Sequence, residues 1–256
     1  MSIVTLTTDF GAQDFYAGAL KGALLRCHAG LQLVDITHGI RPYNIVEGAF
    51  ALSQAWHEFP EGSIHLVAVN AVYSPGHRFA VIRHAGHYFL APDNGILTLL
   101  FEKIASPDIR FLPSEDQSPF AVKHVFPGVA AHLASGGLFD DLGEPGDALY
   151  QRINLQPVIT PNTIRGTVIH VDYFENAIVN IRSAVFEKVG AGRPFSLYFK
   201  RNDPITQLSR SYCDVPVGEP LCMFNSSGYL EIAVNLGRAA TLLGLKAEDV
   251  VELVFE

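Results

Sequence analysis

An α/β sheet domain followed by a smaller all-β, barrel-like domain is the fold that three features of this 256-residue chain predict. The chain opens on an apolar, β-branched run, Ile3–Thr8, which ends in an acid and passes into residues of helical spacing. That unit of strand, polar turn and helix recurs through the first half, the pattern of a sheet flanked by helices. In the second half, short strand-like runs follow one another between turns. Turn-rich residues 140–146, then Pro157 and Pro161, mark the change, so the domains are placed at 1–155 and 163–256 with a linker at 156–162.

Asp9 stands at the carboxyl end of the first strand, where open α/β sheets bind ligands. An acid there suits either of two uses, accepting hydrogen bonds from a ribose diol or capping its own turn. Asp14 precedes Phe15, Ala17, Leu20 and Leu24, spaced for a helix, and its plain reading is a cap on that helix. Residues 31–36 form a second strand ending in Thr37-His38-Gly39-Ile40. Ile45, Val46, Ala49, Phe50, Leu52 and Trp56 line one helix face, with Glu47 in the first turn where it favours the helix dipole. Residues 64–69 are apolar enough for a central strand, which ends at Asn70. A loop, 70–78, leads to strands at 79–83 and 87–91, and Pro92-Asp93-Asn94-Gly95 turns into a helix start. In the second domain strands are expected at 164–171, 177–181, 195–199, 221–224, 229–234 and 250–255. A short helix is expected at 236–243, closed by Gly244, and residues 201–219 read as a long polar loop.

Composition narrows the function. Hydrophobic residues at 48% against 17% charged describe a filled core and not a disordered chain. A formal net charge of -8 without a basic run argues against a nucleic-acid partner. No apolar run reaches the roughly 18 residues of a membrane span, so no membrane partner is expected. Three scattered cysteines, Cys27, Cys213 and Cys222, lack metal-ligand spacing and fit reduced thiols. The first residues already read as strand, so no targeting segment is expected, and the location expected is cytoplasmic. No Gly-x-Gly-x-x-Gly follows the first strand, which weighs against a dinucleotide enzyme, and the histidines show no paired ligand spacing for a metal.

Seven runs in order carry a resemblance across nearly the whole chain: TLTTDFG..D.Y.G..KG, DITHGI.P..I.EGA, FPEGSIHLVAV, APDNGILT, PGVAAHLASGG, IHVDYFENAIVNI and NSSGYLEIAVNLGRAA. Together they resemble the S-adenosylmethionine-dependent adenosyltransferases, the family of the hydroxide-using S-adenosylmethionine hydrolases and of the fluorinases and chlorinases. The resemblance implies substitution at C5′ of the ribose, with neutral methionine leaving a cationic sulfonium and no cofactor beyond S-adenosylmethionine as substrate or ligand. It makes Asp9 the ribose-diol acid, puts Asp14 and Tyr16 on the methionine side, and packs Tyr43 on the nucleoside. It gives Asp172 and Ser226 to the methionine ammonium and carboxylate, and Asn176 to the adenine. It also implies a homotrimer, each ligand lying between the first domain of one subunit and the second domain of its neighbour.

The chain departs from the hydrolases where they orient water. Their acid is Asn70 here, their arginine falls on His77 or, with a one-residue shift, Arg78, and their histidine is Ala121. Ala71-Val72-Tyr73-Ser74 replaces their Pro-Gly-Val-Gly, and neither Tyr73 nor Val122 restores the fluorinase hydroxyls. Three readings stay open from these residues: hydrolysis with a rearranged water site using Asn70, His77, Arg78 or His124; binding of S-adenosylmethionine or adenosine without turnover; or another nucleophile or nucleoside.

Overall fold

The computed structural model describes residues 2–72, 78–101, 103–113, 118–200 and 203–256, and within them the chain divides into two compact units, Met1–Ile153 and Asn154–Glu256. His77 and Tyr73 lie outside the described residues.

The first unit is built on a seven-stranded sheet. In chain order its strands are β1 (Ile3–Thr8), β2 (Gln32–Thr37), β3 (Ile64–Ala68), β4 (Phe79–His84), β5 (His87–Pro92), β6 (Ile109–Leu112) and β7 (Glu144–Pro145). They lie side by side as β2-β1-β3-β5-β4-β6-β7. The first four in that order run parallel, with Val4 opposite both Leu33 and Ile64, and the rest pair antiparallel. β3 is buried at every residue, which its unbroken apolar run dictates for a strand covered on both faces. Among the described residues four α-helices accompany the sheet: α1 (Tyr16–Cys27), α2 (Ile45–Ser53), α3 (Ile96–Leu100) and α4 (Val122–Ala134). The chain leaves β1 for β2 on one side and returns through α2 to β3 on the other, so the strand order reverses between β1 and β3. Leu20 and Leu24 of α1 share one core cluster with Phe126 and Ala130 of α4, while Ala49 and Leu52 of α2 share another with Ile96 and Leu97 of α3.

The second unit holds an antiparallel sheet that curls on itself. Its strands are β8 (Val158–Ile159), β9 (Thr163–Val171), β10 (Ala177–Arg182), β11 (Phe195–Phe199), β12 (Pro220–Phe224), β13 (Tyr229–Val234) and β14 (Val250–Phe255). The path is β11-β14-β9-β10-β13-β12, with β8 also on β9. Residues 163–167 of β9 pair with β14 and residues 168–171 pair with β10. One long strand that changes partner midway is what curls the sheet around a core of Ile164, Val179, Leu197, Ile232 and Leu253. The expected short helix is α6 (Ala239–Leu243), closed by Gly244 at φ 68°. A second one, α5 (Ser183–Gly190), has no counterpart in the sequence reading.

Candidate active site

The point where strand order reverses in an open α/β sheet leaves a crevice beyond the strand ends, because neighbouring loops part to opposite faces. Here that point falls between β1 and β3, and Asp9 follows β1 there directly. Its carboxylate does not cap its own turn or helix. Oδ2 accepts the backbone N–H of Tyr43 at 2.9 Å and that of Asn70 at 3.0 Å, which ties the loops after β2 and β3 to the end of β1. Tyr43 and Asn70 both stand in the left-handed region, at φ 67° and 50°. A tyrosine is rarely found there, so the turn holds local strain that the bond to Asp9 offsets. Among the described residues nothing donates to Oδ1, which keeps an acceptor for a ligand hydroxyl.

A cleft of about 900 Å³ opens beside this junction, lined among others by Tyr43, Asn70, Arg78, Asp93, Asn94, Tyr150 and Arg152. Asn94 Nδ2 donates to the carbonyls of Val69 at 3.1 Å and Asn70 at 3.3 Å, so it fixes the backbone of the loop after β3. Asn70 keeps its side-chain amide free of hydrogen bonds among the described residues. Arg78 is held on three sides. Its Nε donates to Asp93 at 2.9 Å, Nη2 to the Ala148 carbonyl at 3.0 Å, and the guanidinium lies over the Phe111 ring at 3.3 Å. Asp93, almost fully covered, also accepts from the Tyr150 N–H at 2.7 Å. Nη1 of Arg78 alone is uncommitted among the described residues.

The structure brings Asp9, Tyr43, Asn70 and Arg78 to this end of the sheet. Asp14 is exposed and does not cap α1, whose N-cap is Phe15 without a side-chain hydrogen bond. Tyr16 packs edge-on to Phe120 at 5.5 Å and beside Phe10 at 6.0 Å, an aromatic group around the residue after Asp9. Ala121 is fully buried at the start of α4 and presents no polar group.

In the second unit Asp172 and Asn176 close the β9–β10 hairpin together. Asp172 Oδ1 accepts the Asn176 N–H at 2.8 Å and Oδ2 accepts its Nδ2 at 3.0 Å. Each carboxylate oxygen retains a second lone pair for a cationic ligand group. Ser226 is exposed on the turn that follows β12. Two groups the sequence reading passed over stand close by. Glu231 is buried at 3% exposure and accepts the Tyr212 hydroxyl at 2.7 Å. Burial raises the Glu231 pKa, against the bonds from Tyr212 and Asn225, and the charge on Asp172 adds to the rise. Burial also pushes the Tyr212 hydroxyl up to about 12, helped by Glu231 and Asp172. A carboxyl amid the apolar residues of β13 was the available signal for Glu231. Asp93 and Asn94 were visible only as a turn. Among the described residues no three His, Cys, Asp or Glu side chains gather as a metal site, and no helix is long and apolar enough to cross a membrane.

Comparison with known proteins matches both units. The model of the SAM hydroxide adenosyltransferase N-terminal domain fits residues 4–143, and that of the C-terminal domain fits residues 166–252. The chain belongs to the SAM hydroxide adenosyltransferase family. It is similar to an (R)-S-adenosyl-L-methionine hydrolase of Methanocaldococcus jannaschii, 28% identical with 100% of this chain and 97% of the relative covered. It is 30% identical to one from Thermus thermophilus, over 96% of this chain and 97% of that one. A fluorinase of an Actinoplanes species is 24% identical over 96% and 95%. The fold of this SAM hydroxide adenosyltransferase family member is matched by a crystal structure of a conserved protein from Thermotoga maritima, with a TM-score of 0.88 and 28% identity, covering 99% of this chain and 100% of that one.

Proposed function

We propose that this protein hydrolyses S-adenosylmethionine to adenosine and L-methionine. The observation that carries the reading is the end-to-end similarity to (R)-S-adenosyl-L-methionine hydrolases of archaeal and bacterial origin. Water attacks C5′, the C5′–S bond breaks, its electron pair goes to sulfur as neutral methionine departs, and the water's second proton passes to solvent. The sulfonium is already an activated leaving group, so the protein's work is to align water, carbon and sulfur. Alignment of this kind is able to supply roughly 7–11 kcal/mol of barrier reduction.

In this reading Asp9 holds the ribose diol through Oδ1, and Tyr43 packs on the nucleoside. Asn70 positions the water by its side-chain amide, which needs no proton transfer to do so, and Arg78 or His77 supports it. Asp14, Tyr16, Asp172 and Ser226 attend the methionine, with Asn176 toward the adenine. S-adenosylmethionine enters as the substrate. Family membership supports a homotrimer in which a neighbouring subunit completes each site.

The test is product analysis. Ligand-stripped protein is incubated with S-adenosylmethionine, and adenosine and methionine are followed by mass spectrometry against a protein-free blank. Equal, protein-dependent release of both is expected. Substrate retained on the protein without release would replace the reaction by binding alone.

A further inference from the structure

The turn that carries Asp9 is held from behind by a chain of side chains that never reaches the cleft. Thr8, fully buried, has its Oγ1 2.8 Å from His38 Nδ1 and accepts the Phe10 N–H at 3.3 Å. The His38 carbonyl accepts the Gly11 N–H at 2.8 Å, so His38 grips the far side of the same turn through its backbone. The ring is nearly covered, and Nε2 lies 3.1 Å from Asp35 Oδ1, close in distance though off the line of a good hydrogen bond. Asp35 Oδ2 in turn accepts Lys21 Nζ at 2.5 Å, on the helix the turn leads into. Thr8 Oγ1 accepts from Phe10 and has both a proton and a second lone pair to offer Nδ1; when the hydroxyl donates, the ring proton sits on Nε2, on the side of the Asp35 carboxylate. β1, β2 and α1 are thereby braced against one another at the residue next to Asp9.

We infer that Thr8, His38, Asp35 and Lys21 form a positioning relay that aims the free carboxylate oxygen of Asp9 at the ribose diol. The two amides on Oδ2 provide a pivot, and the relay fixes the backbone that sets where Oδ1 points. The covered end of this network, Thr8 and the His38 ring, is where a polar group has to be held in one arrangement, while Asp35 and Lys21 form its partly exposed outer end. The network ends on the turn at both Phe10 and Gly11. The inference rests on the reading of Asp9 as the ribose ligand, and its members are positioning residues, not catalytic ones.

The experiment measures adenosine and 2′,3′-dideoxyadenosine binding calorimetrically on the full-length protein. Thr8→Val removes the hydroxyl at constant shape and Thr8→Ser keeps it. Thr8→Val is expected to weaken adenosine by roughly three- to tenfold, the effect of about one hydrogen bond, and to leave dideoxyadenosine unchanged. Thr8→Ser is expected to bind both like the unaltered protein. In an Asp9→Ala background Thr8→Val is expected to add nothing, because the two act as one unit. Equal weakening of both nucleosides would reduce Thr8 to a structural residue and overturn the relay, as would unchanged adenosine binding. An unaltered protein that binds the two nucleosides alike removes the ribose role of Asp9, and the relay with it. If Thr8→Val fails to fold, the half-exposed Asp35→Asn carries the same test, ribose-selective loss supporting the relay and its absence overturning it.

Discussion

Asp9 shows what one carboxylate is asked to do at a strand end. One oxygen stitches the loops after β2 and β3, and the other has no donor among the described residues. Asp9→Ala is therefore expected to weaken adenosine by roughly 1.5–3 kcal/mol, the range for a hydrogen bond to a charged group, and to loosen Tyr43 and Asn70 as well. Titration calorimetry checks it, and unaltered affinity would remove the ribose role. Asn70 separates side chain from backbone. At φ 50° glycine is comfortable, so Asn70→Gly keeps the N–H bond to Asp9 and deletes only the amide that would orient water. Turnover is expected to fall with adenosine affinity retained, and equal turnover would clear Asn70 of any part in the reaction. That Asp9 and Tyr43 stand at turns, and Asp172 and Asn176 in one hairpin, was legible in the sequence, because each lies just beyond an apolar strand run; that Asp9 bonds the Tyr43 backbone was not. The partners of Arg78 were not. Its bonds to Asp93 and Ala148 join residues 15 and 70 positions away, and no local pattern encodes such a pairing.

At the scale of elements, apolar period and turn residues gave most strands within a residue of their ends, because burial on a pleated sheet leaves a strong pattern. β6, the two-residue β7 and β8, α4 and α5 were missed. β6 has four residues, Ile109–Leu112, with a buried arginine among them, too short and too mixed to show alternation. α5 packs Val185, Phe186 and Val189 against the core, but with eight residues it is barely two turns long and its apolar stripe is short. The start of α2 is specified locally, since Asn44 accepts the Glu47 N–H at 3.1 Å. Asn44→Ala is expected to cost about 1 kcal/mol of stability, read from denaturant midpoints. The amino-terminal half of the sheet carries a hidden pH response. His65 of β3 is fully buried between Thr5 of β1 at 2.8 Å and His87 of β5 at 3.1 Å. Burial, then the neighbouring His87, lowers its pKa to about 3. The native state thus favours the neutral ring, and the unfolded chain takes up the proton first as pH falls below 6.5. Stability is expected to be full above that pH and to drop toward 3, by about 1.4 kcal/mol per pH unit for this one proton. Urea unfolding at pH 7 and 5 should show a smaller loss in His65→Leu than in the unaltered protein; an equal loss would mean the ring is not the group responsible.

Over the whole molecule, fold class and family were written in the order of the seven runs, and assembly was not, since nothing in composition or periodicity marks a surface that meets its own copy. Asp9 belongs to one compact unit and Asp172 to the other. If the proposed homotrimer shares sites between subunits, inactive Asp9→Ala and inactive Asp172→Ala chains, dissociated and reassembled together, are expected to recover part of the activity, and mixtures no better than the separate variants would contradict shared sites. Displacement of methionine by water at C5′ is tested by turnover of S-adenosylmethionine in water enriched in oxygen-18, with the masses of both products determined. Adenosine carrying the heavy oxygen in its 5′-hydroxyl, matched by an equal amount of unlabelled methionine, is expected. Adenosine without the label, or no protein-dependent adenosine at all, would contradict it.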